Sequence, residues 1–209
     1  MARGRFITLE GGEGVGKSTQ ARALAAALEV RGISVVLTRE PGGSPGAEAV
    51  RELLLSGDAD RWSTRAEALL FAAQRADHVE KTIMPAVDAG KWVICDRFVD
   101  SSRAYQSVTG ELTDGDIVAL HEVGSRGLLP DRTLLLTLPG DEADQRASVR
   151  DGGIADRIGG RDADFHAAVN AAFVRFAEEE ADRFRKIDAS GSPDEVTLRL
   201  LAALDDWLA

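Results

Sequence analysis

One cysteine, Cys95, is all the chain of 209 residues contains, so no disulfide can form within it. This fits a reducing compartment. Long apolar runs are also missing. None approaches the roughly 20 residues that span a bilayer. No apolar stretch follows Arg3 and Arg5 in the way a signal peptide requires. A soluble cytoplasmic protein without a membrane partner is the expectation. Histidine is scarce, and His78, His121 and His166 are too scattered to suggest a metal site. Basic charge is in deficit: 25 Lys and Arg against 35 Asp and Glu leave a formal net charge of −10. So acidic a surface repels nucleic acid and anionic membranes, although a local basic cleft can still hold a small anion. The chain has no repeat, low-complexity linker or break in composition, which suggests one domain over residues 1–209.

Hydrophobic residues make up 44% of the chain, enough for a substantial core. Their pattern alternates short runs with longer periodic stretches. Strands are expected at Arg5–Glu10, Ser34–Thr38, Lys91–Asp96, Thr133–Leu138 and Arg185–Asp188. Helices are expected near 17–31, 47–55 and 64–89, the last kinked near its end by Pro85, and near 194–208. Two shorter helices should occupy 100–126. Apolar strands alternating with helices imply a parallel sheet of about five strands covered on both faces, an α/β fold of the P-loop type. Cys95 reads as a small buried hydrophobe, and Trp62, Trp92 and Trp207 read as packing residues.

Between the first strand and first helix, Gly11-Gly12-Glu13-Gly14-Val15-Gly16-Lys17-Ser18 matches G-x-x-x-x-G-K-[ST], with Thr19 following. Glycines let successive backbone N–H groups turn toward phosphate oxygens, and the helix start adds partial positive charge. Lys17 is suited to the β- and γ-phosphates of ATP, and Ser18 to Mg²⁺. Asp96 closes an apolar strand, where a carboxylate can help hold Mg²⁺; the lesser alternative is a cap for the next helix. Arg97 can reach a transferring phosphate or lie on the surface. No Asn-Lys-x-Asp segment is present, which argues against a GTPase. So short a chain has room for a nucleotide core and one further small-molecule pocket, as in a kinase of metabolites.

The segments Phe6–Thr19, Thr38–Gly43 (TREPGG), Leu70–Arg75 (LFAAQR), Val93–Phe98 (VICDRF) and Ser102–Gln106 (SRAYQ) occur in order. Together they resemble the bacterial thymidylate kinases, and the likeness runs over almost the whole chain. It implies transfer of the γ-phosphoryl group of ATP to dTMP, with Mg²⁺, in a homodimer; the helix around 66–76 is one candidate surface for the dimer. It also implies that Glu10 organises Mg²⁺ or its waters and that Glu13 accepts a bond from the sugar 3′-hydroxyl. Arg39 and Arg97 would clamp the acceptor phosphate. Phe71 would stack on thymine and Arg75 would bond its carbonyl edge; four residues apart on a helix, they share a face. Ser102 would sit near the base edge, Tyr105 would crowd the 2′ position and Gln106 would contact the base. A short lid at about 146–161 carries Arg146, Arg150, Arg157 and Arg161. Gly14 stands where some members carry an arginine in the phosphate loop, which implies that the catalytic arginine is in the lid. Arg157, in Asp156-Arg157-Ile158, is the choice, with Arg150 and Arg161 as alternatives. Gly159 occupies a place that is often acidic. Another monophosphate or deoxynucleoside kinase, or a nucleotide-binding switch, are the rival readings.

Overall fold

The computed structural model describes residues 3–58, 60–139, 142–143 and 157–208. Five strands form one wholly parallel sheet: β1 (Phe6–Glu10), β2 (Val35–Arg39), β3 (Trp92–Asp96), β4 (Arg132–Thr137) and β5 (Phe184–Asp188). Their order is β2-β3-β1-β4-β5. All five residues of β1 are buried, because β3 and β4 flank it and helices cover both faces. Register places Ile7 beside Ile94 and Leu9 beside Leu134. The sheet order changes direction about β1, and loops at the carboxyl ends of such strands surround a crevice.

On one face, α1 (Lys17–Glu29) and α8 (Pro193–Ala202) pack Leu24, Leu28, Val196 and Leu200 against Ile7, Leu9, Ile94 and Leu134. The spacing of Ala21, Leu24, Ala25 and Leu28 makes a helical apolar stripe. The other face carries two clusters. One places Phe6, Val93 and Cys95 against Phe98 and Ile83; the Phe6 and Phe98 rings meet edge to face at 4.9 Å. The other joins α5 (Val99–Ser107) and α7 (Ala163–Glu179) through Tyr105, Phe173 and Phe176. Helices α2 (Pro45–Leu55), α3 (Thr64–His78) and α6 (Asp114–Ser125) stand beside this layer. Among the described residues, no helix is long and apolar enough to cross a membrane.

Two expected helices differ in detail. The long one is regular only to His78. A π-helical segment, Val79–Ile83, then leads into α4 (Met84–Asp88). Pro85 has no N–H, and its ring opposes the carbonyl one turn earlier, so the chain widens ahead of the proline. The closing helix breaks after α8, leaving the single turn α9 (Asp205–Leu208).

Candidate active site

At the end of β1 the chain turns sharply and enters α1. Gly11 has φ 136°, and a Cβ there would lie 2.4 Å from the Leu136 carbonyl oxygen, so no larger residue fits. Gly16 (φ 91°) caps α1 without a side-chain hydrogen bond, leaving the first N–H groups without a side-chain acceptor. Lys17 folds back over the loop, its Nζ donating to the carbonyls of Gly11 (3.1 Å) and Gly12 (2.5 Å). Burial, then Arg97, lowers its pKa to about 8, against the pull of Glu13, Asp96 and Glu10. A poorly solvated ammonium resting on neutral carbonyls gains most from an anion.

Ser18 Oγ donates to Asp96 Oδ2 at 2.5 Å, so an α1 hydroxyl and the β3 carboxylate converge. Among the described residues, no group of three His, Cys, Asp or Glu could hold a metal alone. A cation here would complete its shell with phosphate and water oxygens, as Mg²⁺ does and as a dedicated zinc site does not. The two oxygens therefore fit Mg²⁺. The hydrogen bonds of Glu10 go to the start of α5. The residue has no exposure; Oε1 accepts from the Phe98 (2.7 Å) and Ser101 (3.3 Å) backbone, and Oε2 from Ser101 Oγ (2.6 Å). It holds the start of α5.

Arg97 occupies the left-handed region (φ 69°), unusual for a side chain of this size, and the backbone there turns it over the loop. Its guanidinium reaches the Gly11 carbonyl (3.2 Å), Ser101 Oγ (3.1 Å), Glu13 Oε1 (2.6 Å) and Tyr105 OH (3.3 Å). Tyr105 OH also donates to Glu13 Oε1 at 3.1 Å. Burial pushes the Tyr105 phenol above its ordinary value, with Arg97 opposing.

A cavity of about 700 Å³ runs from Lys17 and Ser18 past Arg97 to a second end. There it meets Arg39, Phe71, Arg75, Ser102, Tyr105 and Gln106, so the two residues expected to share a helix face do line one wall. Arg75 is buried. It donates to Glu40 Oε2 through Nε (2.8 Å) and to Ser102 Oγ through Nη2 (2.8 Å). Burial alone would raise the Glu40 pKa, but Arg75 and His78 hold it below the ordinary value. Arg39 lies half-exposed at the rim with Nη2 at 3.1 Å from both oxygens of Glu48. Gly191, Pro193 and Val196 line the cavity beside the phosphate loop.

The lid arginines divide. Arg146 and Arg150 lie outside the described residues. Arg157 is buried and does not line the cavity; Ile158 does. Its Nη2 donates to Glu67 Oε2 (2.5 Å) and its Nε to the Leu54 carbonyl (2.9 Å). Arg161 binds both oxygens of the same glutamate at 3.0 and 2.9 Å. Among the described residues, these bonds tie both arginines to Glu67. Glu40, Arg51, Glu67 and Ser101 escape the sequence reading. Glu40 stands inside the Arg-Glu-Pro-Gly-Gly segment, a signal that could have drawn attention to it; Arg51, Glu67 and Ser101 carry no distinctive local pattern.

Sheet order, phosphate loop and the two ends of one cavity define a P-loop nucleoside monophosphate kinase. A family model described as thymidylate kinase matches residues 9–199. A thymidylate kinase of Rhizorhabdus wittichii is 62% identical over 98% of this chain and 99% of its own. One from Bradyrhizobium sp. strain BTAi1 is 48% identical over 99% of this chain and 92% of its own. The crystal structure of thymidylate kinase from Ehrlichia chaffeensis superposes with a TM-score of 0.77 at 31% identity, covering 97% of this chain and 99% of that one. The chain belongs to the thymidylate kinase family.

Proposed function

We infer that the protein transfers the γ-phosphoryl group of ATP to the 5′-phosphate of dTMP, giving dTDP and ADP. The observation that carries this is the continuous cavity, with Lys17 at one end and Phe71 and Arg75 at the other. A nucleotide switch has no use for the second end. The acceptor is already an ionised phosphate monoester, so alignment and charge neutralisation do most of the work. Lys17 exchanges the Gly11 and Gly12 carbonyls for the β- and γ-phosphates of ATP. Gly11–Thr19 wrap the same phosphates. Ser18 and Asp96 would hold Mg²⁺, which neutralises phosphate charge when bound. Arg97 bridges donor and acceptor phosphates, and Arg39 leaves Glu48 to grip the acceptor. Phe71 stacks on thymine, Arg75 donates to its carbonyl edge beside Ser102, and Gln106 contacts the base. Glu13 accepts from the 3′-hydroxyl, while Tyr105 leaves no room for a 2′-hydroxyl. Of the lid at 146–161 that the resemblance implies, 146–156 lie outside the described residues. Arg157 takes its place on the transferring group only by releasing Glu67.

The protein is proposed to act in the cytoplasm as a homodimer joined through helices beside the sheet. Exposed Leu69 on α3 and Val118 on α6 support that assembly. The test is a panel of nucleoside monophosphates and deoxynucleosides offered with MgATP. Fastest ADP formation is expected with dTMP. Equal turnover of another acceptor would point to a different kinase, and acceptor-independent ATP hydrolysis to a switch.

A further inference from the structure

Glu67, Phe71 and Arg75 follow one another at four-residue intervals on α3, so the three form one stripe. Phe71 and Arg75 line the acceptor end of the cavity, and Glu67 lies one turn behind them. Its carboxylate has almost no exposure and is salt-bridged to Arg157 and Arg161. Its Oε1, which Arg161 also reaches, accepts from Gln106 Nε2, on α5, at 3.0 Å. Gln106 is itself buried, yet it lines the cavity. Its Oε1 has no hydrogen-bond partner.

A carboxylate held between two guanidinium groups only accepts hydrogen bonds. It therefore dictates which end of the neighbouring amide faces it. Gln106 must offer Nε2 to Glu67, and Oε1 is left as a buried acceptor without a donor. Such a group carries a desolvation cost that a ligand N–H can relieve. The guanidinium of Arg75 supplies only donors. A base that suits both must present a carbonyl next to a ring N–H. The 4-keto pyrimidines do so through O4 and N3–H, whereas cytosine presents an amine and a ring lone pair at those places.

We propose that Glu67 is a positioning residue that fixes the polarity of the Gln106 amide, making this end of the cavity selective for a keto pyrimidine over cytosine. The proposal rests on dTMP being the acceptor. The alternative is that Glu67 serves only to anchor Arg157 and Arg161.

The test compares the full-length protein with Glu67→Gln, Gln106→Leu and the double variant, using calorimetric dissociation constants for dTMP, dCMP and MgATP. At position 67 an amide can donate or accept, so Gln106 is no longer held one way round. Glu67→Gln is expected to weaken dTMP binding about ten- to hundredfold. Binding of dCMP should not weaken, and that of MgATP should stay within about twofold. Gln106→Leu should show a similar loss of dTMP affinity, and the double variant no more than either single one. An unchanged preference for dTMP over dCMP, or losses that multiply in the double variant, overturns the proposal and leaves the anchoring role. Should Glu67→Gln fail to fold, NMR of the wild-type side-chain amides decides. The Gln106 signal, identified by its disappearance in Gln106→Leu, should exchange slowly with solvent and keep its position when dTMP is added. A large shift of its Nε2 protons on adding dTMP would mean that the nitrogen faces the base, and the idea fails. Wild-type protein that binds no dTMP would instead sink the acceptor assignment itself.

Discussion

Glu10 lies behind the phosphate loop with no exposure and three donors on its two oxygens. Burial, then the charge of Asp100, raises its pKa to about 7, while Ser101, Arg97 and the Phe98 amide pull the other way. The folded chain thus holds this proton more tightly than the unfolded chain does. The associated stability is present below the ordinary carboxylate pKa and is lost as pH rises through about 7. Glu10→Gln keeps an acceptor for the backbone but cannot ionise. The melting temperature of the wild type minus that of this variant should therefore fall between about pH 5 and pH 8. Scanning calorimetry at constant ionic strength checks it; a difference that does not move with pH would remove the buried charge as its cause. Arg39 and Arg75 illustrate how far residue type carries. Guanidinium groups at these places suit a phosphate and a carbonyl, but their present partners, Glu48 and Glu40, are set by packing.

Helix α8 brings the carboxyl-terminal part of the chain to the cavity through Pro193 and Val196. It begins with a reciprocal cap: Ser192 Oγ faces the Glu195 amide, and the Glu195 carboxylate accepts from the Ser192 amide at 2.8 Å. Ser192→Ala removes one half of that exchange. A fall of about 2–4 °C in Tm is expected, with the sheet intact by circular dichroism. An unchanged Tm would mean that packing of Val196 and Leu200 alone sets where this helix starts. Most strands and helices were legible in the chain, because apolar runs and helical stripes are local signals. The π-helical segment before Pro85 was not, since a proline announces a disturbance in the turn ahead of it without stating whether the helix bends, breaks or widens there.

A buried ionic network ties the outer helices to the sheet. Asp100 of α5 has no exposure and accepts from Arg183 (2.6 and 2.9 Å), Arg103 (3.2 Å) and Thr133 of β4 (3.2 Å). Arg103 continues to Asp114 of α6 (2.8 Å) and Glu180 (2.6 Å). Removing the central charge leaves two crowded guanidinium groups short of a partner. Asp100→Asn should cost about 3–5 kcal/mol of unfolding free energy in urea titration. A loss of under about 1 kcal/mol would show that the remaining carboxylates suffice. Because Asp100 adjoins Ser101 and presses on Glu10, the same network supports the floor of the phosphate loop.

The amino-acid sequence alone determined the strands, the phosphate loop and the face shared by Phe71 and Arg75, since each depends on residues within a turn or two of one another. Tertiary structure decided the partners. It sent Glu10 to Ser101 of α5 across 91 positions and Arg157 to Glu67 across 90. It also set Gln106 beside Glu67 across 39. A charged side chain takes whichever opposite charge packing leaves within reach and out of water, and periodicity along the chain does not record that distance.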